Sequence, residues 1–290
     1  MSALILIRGG GDLASGVALR LHRAGLKVLI SELPQPLAVR RSVSFAEAVY
    51  EVRVTVEGVT ACLVDREPPS GMIQIPEALE AGEIPVLVDP DASILTDPQF
   101  SIPIVIDGRL TKLDPSPLPV DVPLHIGLGP GFHAGRNCQA VIETRRSHTL
   151  GRVYWDGTAQ SDSGLPEGDA RRVLRAPITG TLIAHKHIGE HCEEHETILE
   201  ILPEGGQYGL QGKEGLLDEE LSQKVHSPFK GVLRGLIHPG LRVKEGLKIG
   251  DIDPRDDPEM CKLVSDKALA VGGGVLEALL SQPEIRARLW

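Results

Sequence analysis

The chain opens on an apolar run, Leu4 to Ile7, that breaks into Gly9-Gly10-Gly11. Behind the glycines, Leu13, Val17 and Leu21 recur at helical spacing with Ala14 and Ala18 beside them. That stripe predicts a helix, with Gly25 placed to end it. "KVLISE" (27–32) reads as a second strand. "RRSVSFAEAVY" reads as a helix opened by Ser44, with Glu47 at the spacing of a capping box. "EVRVTVEG", "PVLVD" and "PIVID" read as further strands and "IPEALEAG" as a short helix. A Pro-rich stretch, "LDPSPLPVDVP" (113–123), bends the chain before "LHIGLGPG", and "AVIET" and "GRVYW" are strands again. Short apolar runs alternating with helical periods predict an α/β fold, a Rossmann-like and mainly parallel sheet over residues 1–158.

Polar, turn-rich residues 159–172 read as a linker. Beyond it the pattern repeats. "APITGTLIAHKHIGEHCEEHETILEI" (176–201), moved by 51 residues, falls on "SPFKGVLRGLIHPGLRVKEGLKIGDI" (227–252) without a gap. Pro177, Gly180, Leu182, His187 and Gly189 meet Pro228, Gly231, Leu233, His238 and Gly240. Two short β units with turn glycines at fixed offsets predict a pseudo-symmetric β domain over 173–258, because neither copy alone buries its apolar face. The pattern resembles the barrel-sandwich hybrid of biotinyl and lipoyl carrier domains. Those carry their cofactor on a Lys between the halves; here Lys213 and Lys224 stand in polar sequence without flanking Met, so no biotin or lipoyl attachment is expected. Residues 259–290 read as a C-terminal helical segment that Ser265 caps. Gly272-Gly273-Gly274 either breaks it or marks the close approach of another backbone.

Composition narrows the function classes. Aromatic residues make up 3% and the formal charge is −10, which disfavours stacking platforms and phosphate-backbone binding, so no nucleic acid is expected. There is no long apolar run and no basic leader, so no membrane is expected and the reading is cytoplasmic. Cys62, Cys138, Cys192 and Cys261 are widely spaced and read as reduced, buried thiols.

The first candidate site is Gly9-x-Gly11-x-x-Ala14 between a strand and a helix, with Glu32 at the end of the second strand where a ribose-binding carboxylate would stand. Asp12 opposes a phosphate at that helix start. A nucleotide, another polar or metal-bearing ligand, and a plain turn therefore all stay open, and Arg8, Arg40 or Arg41 must balance Asp12 if a phosphate binds. Arg40-Arg41 precede a predicted helix start and form a second anion candidate. Gly127, Gly129 and Gly131 in "GLGPGFHAGRN" form a third, either a ligand loop or a wide turn. Asp107 and Arg109 end a strand where open α/β sheets place ligands. His185, His187, His191, Cys192 and His195 are metal-ligand types, but the second repeat keeps only His238, so a solvated turn is expected and no metal. No Ser-His-Asp, HExxH or Walker pattern supports a hydrolase or NTPase.

The motifs "RGGGDLASGVALRLHRAG", "VRRSVSFAEAVY", "GLGPGFHAG", "LRAPITG", "GDIDPR" and "SDKALAVGGGVLEALL" resemble the YqeB family from end to end. That family is described as accessory to selenium-dependent molybdenum hydroxylases. Gly10 and Ser147 depart from its pattern, where Ala and Gly are expected. The resemblance implies a maturation or cofactor-handling role. Its partner is a molybdenum hydroxylase or its maturation machinery, and its ligand a nucleotide, a molybdopterin-type cofactor or another small anion. No catalytic residue carries over. An NAD-dependent oxidoreductase, with His133 or His148 as proton donor, and a non-catalytic scaffold are the alternatives.

Overall fold

The computed structural model describes residues 3–66, 73–162, 168–203 and 222–290. The chain forms two compact units, Met1–Pro36 with Val43–Gly164 and Leu263–Trp290, and Leu37–Ser42 with Leu165–Lys262.

In the first unit, β1 (Leu4–Arg8), β2 (Lys27–Glu32), β3 (Arg53–Val56), β4 (Val59–Val64), β5 (Ile84–Val88), β6 (Ile104–Asp107), β7 (Leu124–Leu128), β9 (Ala140–Ile142) and β10 (Val153–Tyr154) build one sheet. Its order is β10-β9-β7-β6-β1-β2-β5-β4-β3. β8 (His133–Ala134) pairs apart with β11 (Gly157–Thr158). The helices are α1 (Asp12–Arg23), α2 (Ala48–Glu51), α3 (Ile75–Glu80), α4 (Asp266–Ser281) and α5 (Pro283–Arg286). Every residue of β1 is buried, because both faces of the sheet are covered. Ile5, Ile7, Ile30 and Ile106 pack with Val17 and Leu21 of α1 and Val271 and Val275 of α4. On the other face Leu6, Leu29 and Val105 pack with Ile75 and Ala78 of α3.

The second unit consists of two antiparallel sheets. One is β12 (Val173–Arg175), β19 (Lys248–Asp253), β17 (Gly231–Leu236) and β14 (His191–Cys192). The other is β16 (Gln223–His226), β15 (Thr197–Pro203), β13 (Gly180–Ala184) and β18 (Arg242–Val243). The repeat is visible here, since Gly180, His191 and Thr197 open β13, β14 and β15, and Gly231, Arg242 and Lys248 open β17, β18 and β19, shifted by 51. Each copy lends its short middle strand to the other copy's sheet, β14 to β17 and β18 to β13. Leu182, Ile198, Ile201, Leu233, Ile249 and Ile252 fill the shared core, with Val39 of the captured segment 37–42 packed on it.

The expected fold class, a Rossmann-like mainly parallel sheet followed by a barrel-sandwich hybrid and a C-terminal helical segment, is corrected by this topology. The large sheet is mixed, closed at both edges by antiparallel pairs, β3 with β4 and β9 with β10. At the first edge Glu57 and Gly58 both take positive φ, the geometry of a two-residue hairpin turn that the strand pattern alone concealed. Additional antiparallel sheets accompany it, and the C-terminal helices complete the core of the first unit.

Two local expectations change as well. "RRSVSFAEAVY" forms 3-10 turns at Arg41–Val43 and Phe45–Glu47 before the four-residue α2, and Ser44 makes no capping bond. α4 runs unbroken through its three glycines. Among the described residues no helix is long and apolar enough to cross a membrane. Part of the expected linker, 163–167, and Lys213 lie outside the described residues.

Candidate functional site

β1 lies between β2 and β6, and the chain leaves β1 toward β2 but leaves β6 toward β7 on the other side, so the connections diverge at these carboxyl ends. Open α/β sheets bind ligands at such a reversal. Gly9 turns there with φ 88, its N–H donating to Ser31 O at 2.8 Å, and Gly11 forms the N-cap of α1. Asp12 is thus the first residue of α1 and the cap is glycine.

The loop's own hydrogen bonds decide what it offers. Gly10 N donates to Glu32 Oε2 at 2.6 Å, and Leu33 N donates to Glu32 Oε1 at 2.7 Å. Glu32 is buried, and burial raises its pKa while those two backbone bonds lower it. Both carboxylate oxygens are therefore engaged with main chain. Gly10 O accepts from Ser15 Oγ (2.9 Å) and Ala46 N (2.8 Å), and Ser15 Oγ in turn accepts from Phe45 N at 2.7 Å. A Cβ on Gly10 would lie 2.8 Å from Ala46 N, so the 3-10 turn Phe45–Glu47 sits directly on this residue.

The other glycines serve similar close approaches. A Cβ on Gly127 would fall on the Phe132 ring. On Gly129 (φ 87) it would lie 2.9 Å from Thr144 Oγ1, and on Gly131 2.5 Å from Thr111 O. A Cβ on Gly9 would stand 3.5 Å from the backbone of Gly108 and Arg109, an ordinary contact, so there it is the positive φ that asks for glycine. At Gly11, by contrast, a Cβ meets nothing within 4 Å among the described residues, so the N-terminal turn of α1 is open there with respect to them.

Beside this opening lies a charge cluster on one face of the sheet, set by the register of Arg8 with Asp107 and Asp107 with Gly127. Asp107 is fully buried. It accepts from Arg109 Nε (2.9 Å) and Nη2 (2.7 Å) and from Arg8 Nη1 (3.4 Å). Arg8 Nη2 donates to Pro90 O at 3.1 Å, and burial lowers the Arg8 pKa against the pull of Asp107. Arg109 remains about one-third exposed and is held from behind in one orientation. Two strand positions below the level of Asp107, His125 stands edge-on to Phe132, with ring centroids 5.9 Å apart. Burial drives the His125 pKa down to about 4, so the ring is neutral at pH 7.

The remaining expected residues lie elsewhere. Arg40 and Arg41 belong to the second unit, where Arg41 Nε donates to Leu236 O at 2.8 Å and Arg40 Nη2 to Met260 O at 3.4 Å. Three of the histidines of 185–195 meet separate carboxylates, His185 with Glu200 (3.3 Å), His191 with Asp256 (2.7 Å) and His195 with Glu194 (3.7 Å). The four cysteines are free and buried, and burial pushes the Cys62 thiol up to about 12 and Cys138 and Cys192 to about 11. None is poised as a thiolate nucleophile. Sequence reasoning missed Ser15, His125 and Asp89. Asp89 caps the 3-10 turn Ser93–Thr96 by accepting from Ser93 N (2.9 Å) and Ile94 N (2.8 Å), which "DPDAS" signals by its Asp and Pro.

No family model matches the sequence. Over 281 residues the chain is 42% identical to the uncharacterized protein YqeB of Escherichia coli (strain K12), which covers 96% of this chain and 47% of that protein. The chain thus spans about half the length of this curated relative. Solved structures overlap it only loosely. The product-bound ectoine utilization protein EutE (DoeB) of Ruegeria pomeroyi shares 7% identity over 87% of this chain and 85% of that one, with a TM-score of 0.26. A succinylglutamate desuccinylase/aspartoacylase of Rhodobacter sphaeroides shares 13% over 87% and 85%, with a TM-score of 0.25. At such scores the overlap carries no argument about activity. The sequence likeness to YqeB runs across nearly the whole chain.

Proposed function

We propose that this protein is an accessory factor in the maturation of molybdenum hydroxylases, selenium-dependent ones among them. On this reading it holds a small anionic ligand, a nucleotide or molybdopterin-type compound, at the carboxyl edge of its large sheet. The observation that carries the ligand part is the open α1 N-terminus at Gly11, in a loop whose Gly9 packs against the Arg109 backbone. Helix N–H groups and a fixed guanidinium attract the same charge, and neither needs to reorganise to receive it. The accessory part rests on the motif resemblance and the 42% identity to YqeB.

An NAD-dependent oxidoreductase is less well supported, because both Glu32 oxygens accept main-chain N–H groups and are committed before a ribose arrives. Gly11 has φ −65 and ψ 174, values any residue adopts, so Gly11→Leu should fold normally while filling the opening. Melting temperatures with NAD, ATP, CTP and molybdopterin compounds, at roughly millimolar concentration, test the ligand part. At least one should stabilise the wild type and leave Gly11→Leu unmoved. No shift with any compound, or an equal shift in the variant, would overturn it. The accessory part is tested by hydroxylase activity and cofactor content in cells lacking the protein; unchanged values would refute it.

A further inference from the structure

Residues 32–46 leave the Gly10 loop and come back to it. At the outgoing end, Gly10 N donates to Glu32 Oε2 (2.6 Å) and Leu33 N to Glu32 Oε1 (2.7 Å). At the returning end, Ala46 N donates to Gly10 O at 2.8 Å. Ser15 Oγ joins that end too, donating to Gly10 O and accepting from Phe45 N. The two main-chain polar groups of one residue, Gly10, thus hold the two ends of a single excursion of the chain.

The middle of the excursion, Leu37–Ser42, belongs to the second unit. Its place there is set by a strand edge. β14 pairs with β17 at Gly231 and Val232. The residues before β14 take Leu233, whose N–H donates to Glu190 O (3.0 Å) and whose O accepts from Gly189 N (2.9 Å). Further along the same edge the excursion takes over. Leu236 N donates to Val39 O at 2.8 Å, and Leu236 O accepts from Arg41 Nε at 2.8 Å. Leu236 is fully buried, so without these bonds its N–H and C=O would be left unsatisfied at a cost. Gly235 lets the segment seat, because a Cβ there would lie 2.8 Å from Val39 Cγ1 and 2.9 Å from Val39 O. Ser42 Oγ donates to Cys261 O at 2.6 Å and ties the far end of the tip.

The arms between these anchors are short and stiff. Leu33–Pro36 contains two prolines, whose rings fix φ, and Tyr50 Oη donates to Pro36 O at 2.8 Å. Between Ser42 and Phe45 stand only Val43 and Ser44, both fully buried. Such arms pass a displacement on instead of absorbing it.

We propose that residues 32–46 form a strap that opens and closes as one cooperative unit. The order of the Gly10 loop and the cover on the β17 edge then rise and fall together, through the chain itself. Nothing in this requires a ligand at Gly11. The test is amide hydrogen exchange of the full chain, followed by NMR under conditions where exchange reports local opening. Ser15→Ala removes the acceptor of Phe45 N. It should speed exchange of Ala46 N and, in the second unit, of Leu236 N, each by about tenfold, the effect of leaving a buried donor without its partner. Gly274→Ala crowds Gly151 and Ile142 in the same unit as Ser15, and it should leave Leu236 N unchanged. In the other direction, Gly235→Ala pushes on Val39 and should speed exchange of Gly10 N and Ala46 N. Ile201→Val, which trims the second unit's core, should not. Leu236 N unmoved by Ser15→Ala, or moved as much by Gly274→Ala, would overturn the proposal. So would Gly10 N and Ala46 N unmoved by Gly235→Ala, or moved as much by Ile201→Val. Each direction is decisive alone should a variant of the other fail to fold.

Discussion

Two buried carboxylates show how environment gives one functional group opposite effects. Glu32 has its pKa raised, chiefly by burial, so its ionised form costs stability, and that cost appears as pH rises above the ordinary value of 4.5. Asp253 has its pKa lowered to about 2, first by the Arg255 side chain, so its ionised form stabilises the fold. That contribution is present above the unfolded value of 3.8 and is lost as pH falls from there toward about 2. Asp253→Asn should therefore cost roughly 2 kcal/mol at neutral pH, from the size of the shift, and the gap to wild type should close below pH 3.8. Urea unfolding of both proteins at pH 7 and pH 3 measures this; a gap independent of pH would contradict it. Glu32→Gln makes a separate prediction. An amide offers one acceptor oxygen where two backbone N–H groups need one each, so a loss of about 1–3 kcal/mol is expected. At this scale the sequence disclosed residue types but not partners. Glu32 stands where a ribose-binding carboxylate would, and only the fold shows that it ties down Gly10 instead. His125 sits in an apolar run with no neighbouring polar residue in "PLHIGL" to mark it.

Among elements, the contact between α1 and α4 gives the most direct test of packing. A Cβ on Gly16 would lie 2.5 Å from Ala268 Cβ, and one on Gly274 would strike the Gly151 carbonyl. Gly273, between two crowded neighbours, has none of the described residues within 4 Å of an added Cβ. Gly273→Ala should therefore stabilise the protein by about 0.5–1 kcal/mol through helix propensity. Gly274→Ala should destabilise it by about 1–3 kcal/mol through overpacking against a main-chain oxygen. Thermal melts of the two variants distinguish the cases, and equal shifts would refute the assignment. The triple glycine was legible as a choice between a break and a close approach, and the unbroken helix selects the second. Strong periodicity made α1, β1 and β2 readable, because the apolar stripe and the buried runs are local properties. The 3-10 turns at 41–47 were not readable. Ala46 N is drawn to the Gly10 carbonyl, a contact between residues far apart in sequence, and it competes with the regular helix that the capping-box spacing favours.

For the whole molecule, the decisive property is that each unit is assembled from separated stretches of chain. Reading along the sequence detects composition shifts and repeats, and it detected the 51-residue repeat. It cannot detect that Val39 packs on the second unit's core or that the last helix serves the first unit's. Both are long-range burials without a local signature. Truncation exposes the difference. Removing residues 263–290 takes Val264, Val271, Val275, Leu279, Ile285 and Leu289 from the first unit's core. At about 1.5–3 kcal/mol for each buried aliphatic side chain, the loss is comparable to the whole stability of a typical domain. The second unit, made of 37–42 and 165–262, keeps all its segments. A chain ending at Lys262 should consequently lose the cooperative unfolding of the first unit, together with any response to ligands at Gly11. It should retain native amide dispersion and exchange protection for β12 to β19 apart from Leu236. If its first unit instead melts as in the full chain, α4 contributes far less to the core than its buried face indicates. If the second unit is lost as well, its stability must depend on the first.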